Sequence, residues 1–98
     1  MAVLQPRRVA CEGARVFVAA APADAYWWLS EAVGRYLGLM YQLQLCETRL
    51  RLQAEEDARF PETAAWRARL DQLLDATPAA APLLAQLAAE TASRMSPG

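Results

Sequence analysis

Lysine, histidine, asparagine and isoleucine do not occur in this chain of 98 residues. Histidine is the side chain that most often serves as a general base or a metal ligand near neutral pH. Its absence therefore excludes histidine-containing catalytic triads and the usual zinc sites. All ten basic residues are arginine, a bias that is typical of the GC-rich genomes of bacteria and their phages.

Cysteine is also scarce, since the chain has only Cys11 and Cys46, far apart and outside any CxxC motif. We expect both to be small buried groups in a reducing compartment, which favours the cytoplasm. A disulfide between them is the alternative. Glu12 and Arg15 interrupt the apolar run that follows Arg7 and Arg8, so we expect no secretion signal.

No apolar run approaches the ~20 residues that a membrane span needs, and we expect no contact with a membrane. No excess of positive charge marks a nucleic-acid-binding protein, because the 11 acids slightly outnumber the 10 bases. A glycine-rich phosphate loop is missing, and we expect no cofactor. The acidic run Glu55-Glu56-Asp57 is the one candidate for a cation. Consecutive helical residues point in different directions, so we interpret it as a solvated face rather than a metal site.

The longest periodic pattern lies between Pro22 and Pro61 and predicts one amphipathic helix over residues 24–60. Asp24 is in position to cap its N-terminus. Such a helix would be roughly 50 Å long, so we expect a kink or a protruding end. The apolar stripe that should face the core consists of Leu29, Ala32, Val33, Tyr36, Leu39, Met40, Leu43, Cys46 and Leu50.

Shorter patterns surround this stretch. A first helix is expected over 7–21, although residues 15–19 could also form a strand. A further helix is predicted over 62–76 with a stripe of Trp66, Leu70, Leu73 and Leu74, and the last begins near Pro82. Residues 1–6 and 96–98 are expected to be tails. The sequence therefore predicts a single all-α domain over 1–98, a bundle of about four helices with one long central helix.

A second face of the predicted long helix combines aromatic residues with two glycines. Each mid-helix glycine costs about 1 kcal/mol relative to alanine, so two of them suggest the close approach of another backbone. That backbone could be the first helix, with its small residues Ala10, Gly13 and Ala14, or a partner or second copy. The predicted partner-binding residues are Tyr26, Trp27, Trp28, Glu31, Gly34, Gly38 and Tyr41.

These features favour a non-catalytic protein–protein interaction module over an enzyme. A small bacterial or phage adaptor, inhibitor or chaperone-like subunit fits, including one that acts in phage defence or against it, as a homo-oligomer or as part of a larger complex. The alternative is a small helical enzyme or anion binder that uses Arg49, Arg51, Arg67 and Arg69. Convergence of these arginines on one pocket would favour that alternative.

Overall fold

The computed structural model describes residues 5–95. Within that range the chain forms five α-helices, two single turns of 3-10 helix and no β-strand, which confirms the prediction of an all-α bundle. The α-helices are α1 (Pro6–Ala20), α2 (Ala25–Tyr36), α3 (Leu39–Ala54), α4 (Arg59–Ala76) and α5 (Ala81–Met95), and the 3-10 turns are Glu56–Ala58 and Pro78–Ala80.

The other helices pack around α1, which contacts all four of them and α4 and α5 most extensively. The stretch 15–19 is helical and not a strand, because Val16, Phe17 and Val18 are buried among the neighbouring helices. Pro6 is the first residue of α1, a position that proline tolerates, and so it does not belong to the expected tail. Residues 1–4 and 96–98, the rest of the two expected tails, lie outside the described range.

The stripes predicted for α4 and α5 form the core together with α1. Trp66, Leu70 and Leu74 of α4 are fully or almost fully buried, and Leu73 is half-buried. The Trp66 ring meets the Phe17 ring edge-on, with centroids 5.5 Å apart. Leu84 of α5 completes this layer. The spacing of apolar residues in the sequence therefore predicts the buried faces of α4 and α5.

The prediction of one helix over 24–60 is wrong, because the chain turns at Gly38. Its φ of 112° and ψ of 166° place Gly38 in a region that residues with a Cβ rarely adopt. The carbonyl of Val33 accepts from the amides of both Leu37 and Gly38, which ends α2, and Gly38 then starts α3. Asp24 occupies the N-cap position of α2, but its side chain makes no capping hydrogen bond.

The C-terminal end of the predicted long helix also differs. Glu55 is extended, and the 3-10 turn Glu56–Ala58 leads directly into α4. α4 begins at Arg59, three residues before the predicted start, so Pro61 lies within its first turn. Proline fits there because the first amides of a helix have no intrahelical acceptor.

The predicted core stripe is buried on α2 as far as Val33 and is mostly exposed from Tyr36 onward. Leu29 and Val33 are fully buried, whereas Leu43 and Leu50 are more than half exposed. The same is true of Tyr36, Leu39 and Met40. The turn at Gly38 changes the direction of the chain, so the heptad spacing no longer holds one face toward the core. α3 instead buries Leu45 and Thr48.

This difference predicts opposite results for two neighbouring leucines. Leu45→Ala should lower the free energy of unfolding by ~2–5 kcal/mol, as for other buried leucines. Leu43→Ala should change it by less than ~0.5 kcal/mol, as for surface sites. Urea unfolding followed by circular dichroism measures both, and a large loss for Leu43→Ala at low protein concentration would contradict the exposed position.

Candidate protein-binding surface

The outer side of α3 carries four large apolar side chains, Leu39, Met40, Leu43 and Leu50, which we call the α3 face. Each exposes between 52% and 67% of its surface. Leu39, Leu43 and Leu50 follow one another along one side of the helix at helical spacing, and Met40 lies beside them. Tyr36, at the end of α2, is also exposed. The face therefore forms an apolar strip along one helix, with Glu47 exposed on its flank between Leu43 and Leu50.

The strip is large for a chain of this size. Four side chains, each with more than half of its surface in solvent, amount to a patch on the order of 400 Å², within the size range of the largest patches on monomeric proteins, which are often functional. Scattered exposed leucines need no explanation, but several in line on one helix do. We therefore take the α3 face as the candidate binding surface.

Charge is distributed unevenly along α3. Its N-terminal part has no charged residue before Glu47, and its N-cap, Gly38, offers no side chain to the first amides. Beyond the C-terminal end, the acidic run Glu55-Glu56-Asp57 is exposed. Because free amides give a helix N-terminus a partial positive charge, α3 is positive at one end and negative at the other.

The inner side of α3 is bound to α4 through a buried polar network. Thr48 Oγ1 donates to Glu62 Oε1 at 2.6 Å and accepts from Trp66 Nε1 at 2.8 Å. Arg51 Nη1 donates to both carboxylate oxygens of Glu62 at 3.0 Å each. Glu62 is only 8% exposed, so this network replaces the water that its carboxylate would otherwise bind.

Arg51 connects the network with the surface. Its Nη2 also lies 3.9 Å from Glu47 Oε1, one turn earlier on the exposed side of α3. The two hydrogen bonds to Glu62 restrict the Arg51 guanidinium, and Thr48, three residues earlier on α3, bonds the same carboxylate. The α3 face is thereby presented on a helix whose position relative to α4 is fixed by hydrogen bonds as well as by Leu45.

The structure does not bring the predicted aromatic partner-binding residues into one surface. Tyr26 is buried, and Trp27, at 64% exposed, is the open one of the adjacent three. Trp28 is half-buried beneath Arg94 of α5, whose guanidinium lies 3.8 Å from the centroid of the indole ring. Tyr41 is half-buried beside Trp66. Glu31 is exposed and lines a shallow hollow between α2 and α5.

Arg49 of α3 fixes the aromatic end of α2. Its guanidinium carbon lies 4.7 Å from the Tyr26 ring centroid and 5.1 Å from that of Trp27. Its Nη1 donates to the carbonyls of Ala21 at 2.9 Å and Ala23 at 3.3 Å. Burial raises the pKa of the Tyr26 phenol above its ordinary value, and contact with Cys46 raises it further, whereas Ser30 and the Arg49 charge lower it.

The two glycines have different structural roles. A Cβ at Gly34 would lie 2.6 Å from Oε1 of Gln42, whose Nε2 donates to the Ser30 carbonyl at 3.0 Å. The close approach at Gly34 is therefore made by a side chain of α3 and not by another backbone. No atom lies within 4 Å of a Cβ at Gly38, which is needed for its backbone conformation alone.

One interpretation of the sequence required the first helix to cross α2 and α3 at these glycines. The structure shows no such crossing. A Cβ at Gly13 of α1 would lie 3.1 Å from Leu70 Cδ1 of α4 and 3.6 Å from Leu84 Cδ1 of α5. The small residues of α1 thus allow close packing on α4 and α5. The alternative of a second copy at the glycines also loses its basis, because Gln42 already fills the space over Gly34.

The four arginines of the alternative hypothesis do not line one pocket. Arg49 and Arg51 make the bonds described above, and the Arg69 guanidinium lies 5.1 Å from the Trp66 ring centroid. Arg67 borders a shallow hollow with Asp71 and Asp75. A larger hollow of 490 Å³ lies where α1, α3 and α4 meet, and none of the four arginines lines it. The geometry offers no arginine clamp for an anion.

Other chemistry finds little support in the described part of the chain. No group of three or more potential metal ligands occurs among residues 5–95. Cys11 is exposed and Cys46 half-buried, and both are free thiols. No helix in the described range has the length and hydropathy of a membrane span. Comparisons with protein-family models, with curated proteins and with solved structures found no match.

Sequence reasoning missed the residues on which this surface depends. Thr48 and Glu62 carry a weak signal, since each is a polar residue next to apolar core positions. Gly38 carries a stronger one, because a glycine after an apolar run is a common helix C-terminus. The leucines of the α3 face were predicted correctly as a stripe but assigned to the core.

The buried network predicts that Thr48→Val, nearly the same shape without the hydroxyl, lowers the free energy of unfolding by ~1–3 kcal/mol, because Trp66 Nε1 loses its acceptor. Thr48→Ser keeps the hydroxyl and should lose less, about the value of one methyl group. Urea unfolding followed by tryptophan fluorescence measures both. Equal losses for the two variants would show that the hydrogen bonds contribute nothing.

The contact between Gly34 and Gln42 predicts coupling in a double-mutant cycle. In the parent, Gly34→Ala should change the free energy of unfolding by less than ~0.5 kcal/mol, because the added methyl displaces the flexible Gln42 amide from Ser30 and this loss offsets the gain in helix propensity. In a Gln42→Ala background the same change should stabilise by ~0.5–1 kcal/mol, because alanine is the better helix former. Thermal unfolding of the four proteins measures the coupling, and equal effects in both backgrounds would refute the contact.

Proposed function

We propose that this chain is a non-catalytic protein–protein interaction module and that the α3 face is its binding surface. The observation that carries the proposal is the line of Leu39, Met40, Leu43 and Leu50, all more than half exposed on one helix. Burying such side chains against a partner is favourable by ~25 cal/mol per Å² of apolar surface. An amphipathic helix of the partner, or a shallow apolar groove, would match this strip.

The support of the helix favours the same function. A surface that is held in its binding geometry before the encounter loses less entropy on association than a flexible one. Leu45 and the Thr48–Glu62 bond provide this support from behind. Trp27 and Phe60 are further exposed apolar side chains, outside the α3 face, that a larger partner could reach.

The chain would then act by binding to the surface of another protein, as a small bacterial or phage adaptor, inhibitor or chaperone-like subunit in the cytoplasm. A role in phage defence or against it belongs to this class. We do not propose the alternative of an arginine-based enzyme or anion binder, because the arginines on which it depended have four separate surroundings.

Capture from cells of the native host, followed by mass spectrometry, tests the proposal. The bait is the parent chain, and the face variant carries Leu43→Glu with Leu50→Glu. Its matched control carries Gln72→Glu with Gln86→Glu, which adds the same charge at exposed positions of α4 and α5. All three should give the same circular dichroism spectrum, since none of the four positions is buried.

The expected result is a protein partner, which can be the chain itself, that the parent and the control recover and the face variant does not. Recovery of the same partner by the face variant would show that binding uses another surface. The proposal fails altogether if neither a partner nor self-association is found for the parent.

A further inference from the structure

We infer that the α3 face binds a second copy of this chain, with the two α3 helices antiparallel about a two-fold axis near residue 45. The inference rests on the proposed function and names its partner. A two-fold interface must be self-complementary, so that residue i of one copy meets residue j of the other and the reverse. The spacing and the charges of α3 both meet this condition.

The spacing is symmetric about the middle of the helix. Leu39 and Met40 lie about as far before residue 45 as Leu50 lies after it, and Leu43 lies next to the midpoint. Antiparallel pairing therefore sets Leu39 and Met40 of each copy against Leu50 of the other. The two Leu43 side chains meet beside the axis. All four residues are exposed in the single chain and would be covered in the pair.

The charges favour the antiparallel orientation over the parallel one. The exposed acidic run Glu55-Glu56-Asp57 follows the C-terminal end of α3, while the uncapped N-terminus has free amides. Antiparallel pairing brings the acidic end of one copy toward the positive end of the other. Parallel pairing would bring the two acidic runs together, which is unfavourable.

Glu47 is compatible with this arrangement. It lies on the flank of the α3 face, and its carboxylate is 3.9 Å from Arg51 of the same helix. In the antiparallel pair its side-chain stem would lie along Leu43 of the other copy while the carboxylate stays in water beside Arg51. The pair therefore buries no unpaired charge, although Glu47 lies near the centre of the interface.

The area that the two α3 faces can bury limits the affinity of the dimer. Two α3 faces with the stems of Glu47 and Arg51 would bury on the order of 1,000 Å² in total, below the 1,200–2,000 Å² that is usual for stable interfaces. The pair should therefore be weak, with dissociation in the micromolar range or above. A monomer–dimer equilibrium that shifts with protein concentration is the corresponding signature.

Sedimentation velocity over micromolar to millimolar concentrations tests the inference with two variants of one residue. Leu43→Glu should weaken the dimer at least ~tenfold, because the new carboxylate then lies close to Glu47 of the other copy and to its own symmetry mate. Leu43→Arg should weaken it less, because its guanidinium lies close to the Glu47 carboxylate of the other copy. A mixture of the two variants should form a heterodimer at least as tight as the parent dimer. The double variant Gln72→Glu, Gln86→Glu, away from α3, should dimerise like the parent.

Disulfide trapping tests the orientation. In a Cys11→Ser, Cys46→Ser background, which removes both native thiols, a tagged Leu39→Cys chain is mixed with an untagged Leu50→Cys chain and oxidised. The antiparallel pair gives mainly the mixed disulfide between the two variants. A parallel pair would give each variant linked to itself, and that result would overturn the arrangement.

Two outcomes separate this inference from the proposed function. If the parent stays monomeric at millimolar concentration, the second copy is not the partner. The proposed function then stands only if capture recovers a different protein that requires Leu43 and Leu50. If the parent dimerises and the Leu43→Glu variant dimerises as tightly as the parent, the α3 face is not the dimer interface.

Discussion

The turn at Gly38 determines which side chains of this protein meet the core and which meet solvent. With φ at 112° the backbone adopts a conformation that essentially only glycine tolerates. α2 and α3 become neighbours that pack on each other instead of one continuous rod. Because the direction changes there, Leu29 and Val33 are buried, while the leucines at the same heptad position beyond the turn are exposed. The candidate surface is therefore a direct result of one backbone conformation.

A second constraint holds α3 in place after the turn. In α3 only Leu45 and Thr48 are fully buried, while Tyr41 and Leu52 pack partly buried against the core, so apolar burial stabilises this helix less than α1. The bond between Thr48 and Glu62 and the two bonds from Arg51 add directional contacts to α4. Buried charged networks of this kind often contribute more to the choice of one geometry than to net stability. Here they orient α3 so that its apolar side points outward.

The sequence predicted the helical class and the stripes of α4 and α5 correctly, because burial of one face per helix has a clear period of 3.6 residues. It could not distinguish a buried stripe from an exposed one. Leu29 and Leu43 occupy the same position of the heptad pattern, and only the turn between them makes one buried and the other exposed. The contact between the Gln42 side chain and Gly34 could not be predicted either, because it depends on the helical hairpin that this turn creates.

The predicted partner-binding residues do not form one surface, for a related reason. Tyr41 was grouped with Trp27 on the assumption of one straight helix, and Tyr26 and Trp28 were included as neighbours of Trp27. In the folded chain Tyr26, Trp28 and Tyr41 contact Arg49, Arg94 and Trp66. Aromatic residues supply much of the energy of both cores and interfaces, so their type alone does not assign them to either. Trp27, near the start of α2, is the exposed aromatic residue of this group.

The central position of α1 has a consequence for how the chain folds. Its contacts with α4 and α5 join the beginning of the chain to its end, whereas α2 and α3 are close in sequence. Contacts between distant parts of a chain form slowly because a long loop must close first. The hairpin of α2 and α3 can form early, but the core closes only when the last two helices reach the first. Folding should therefore be slower than in bundles whose helices pack in sequence order.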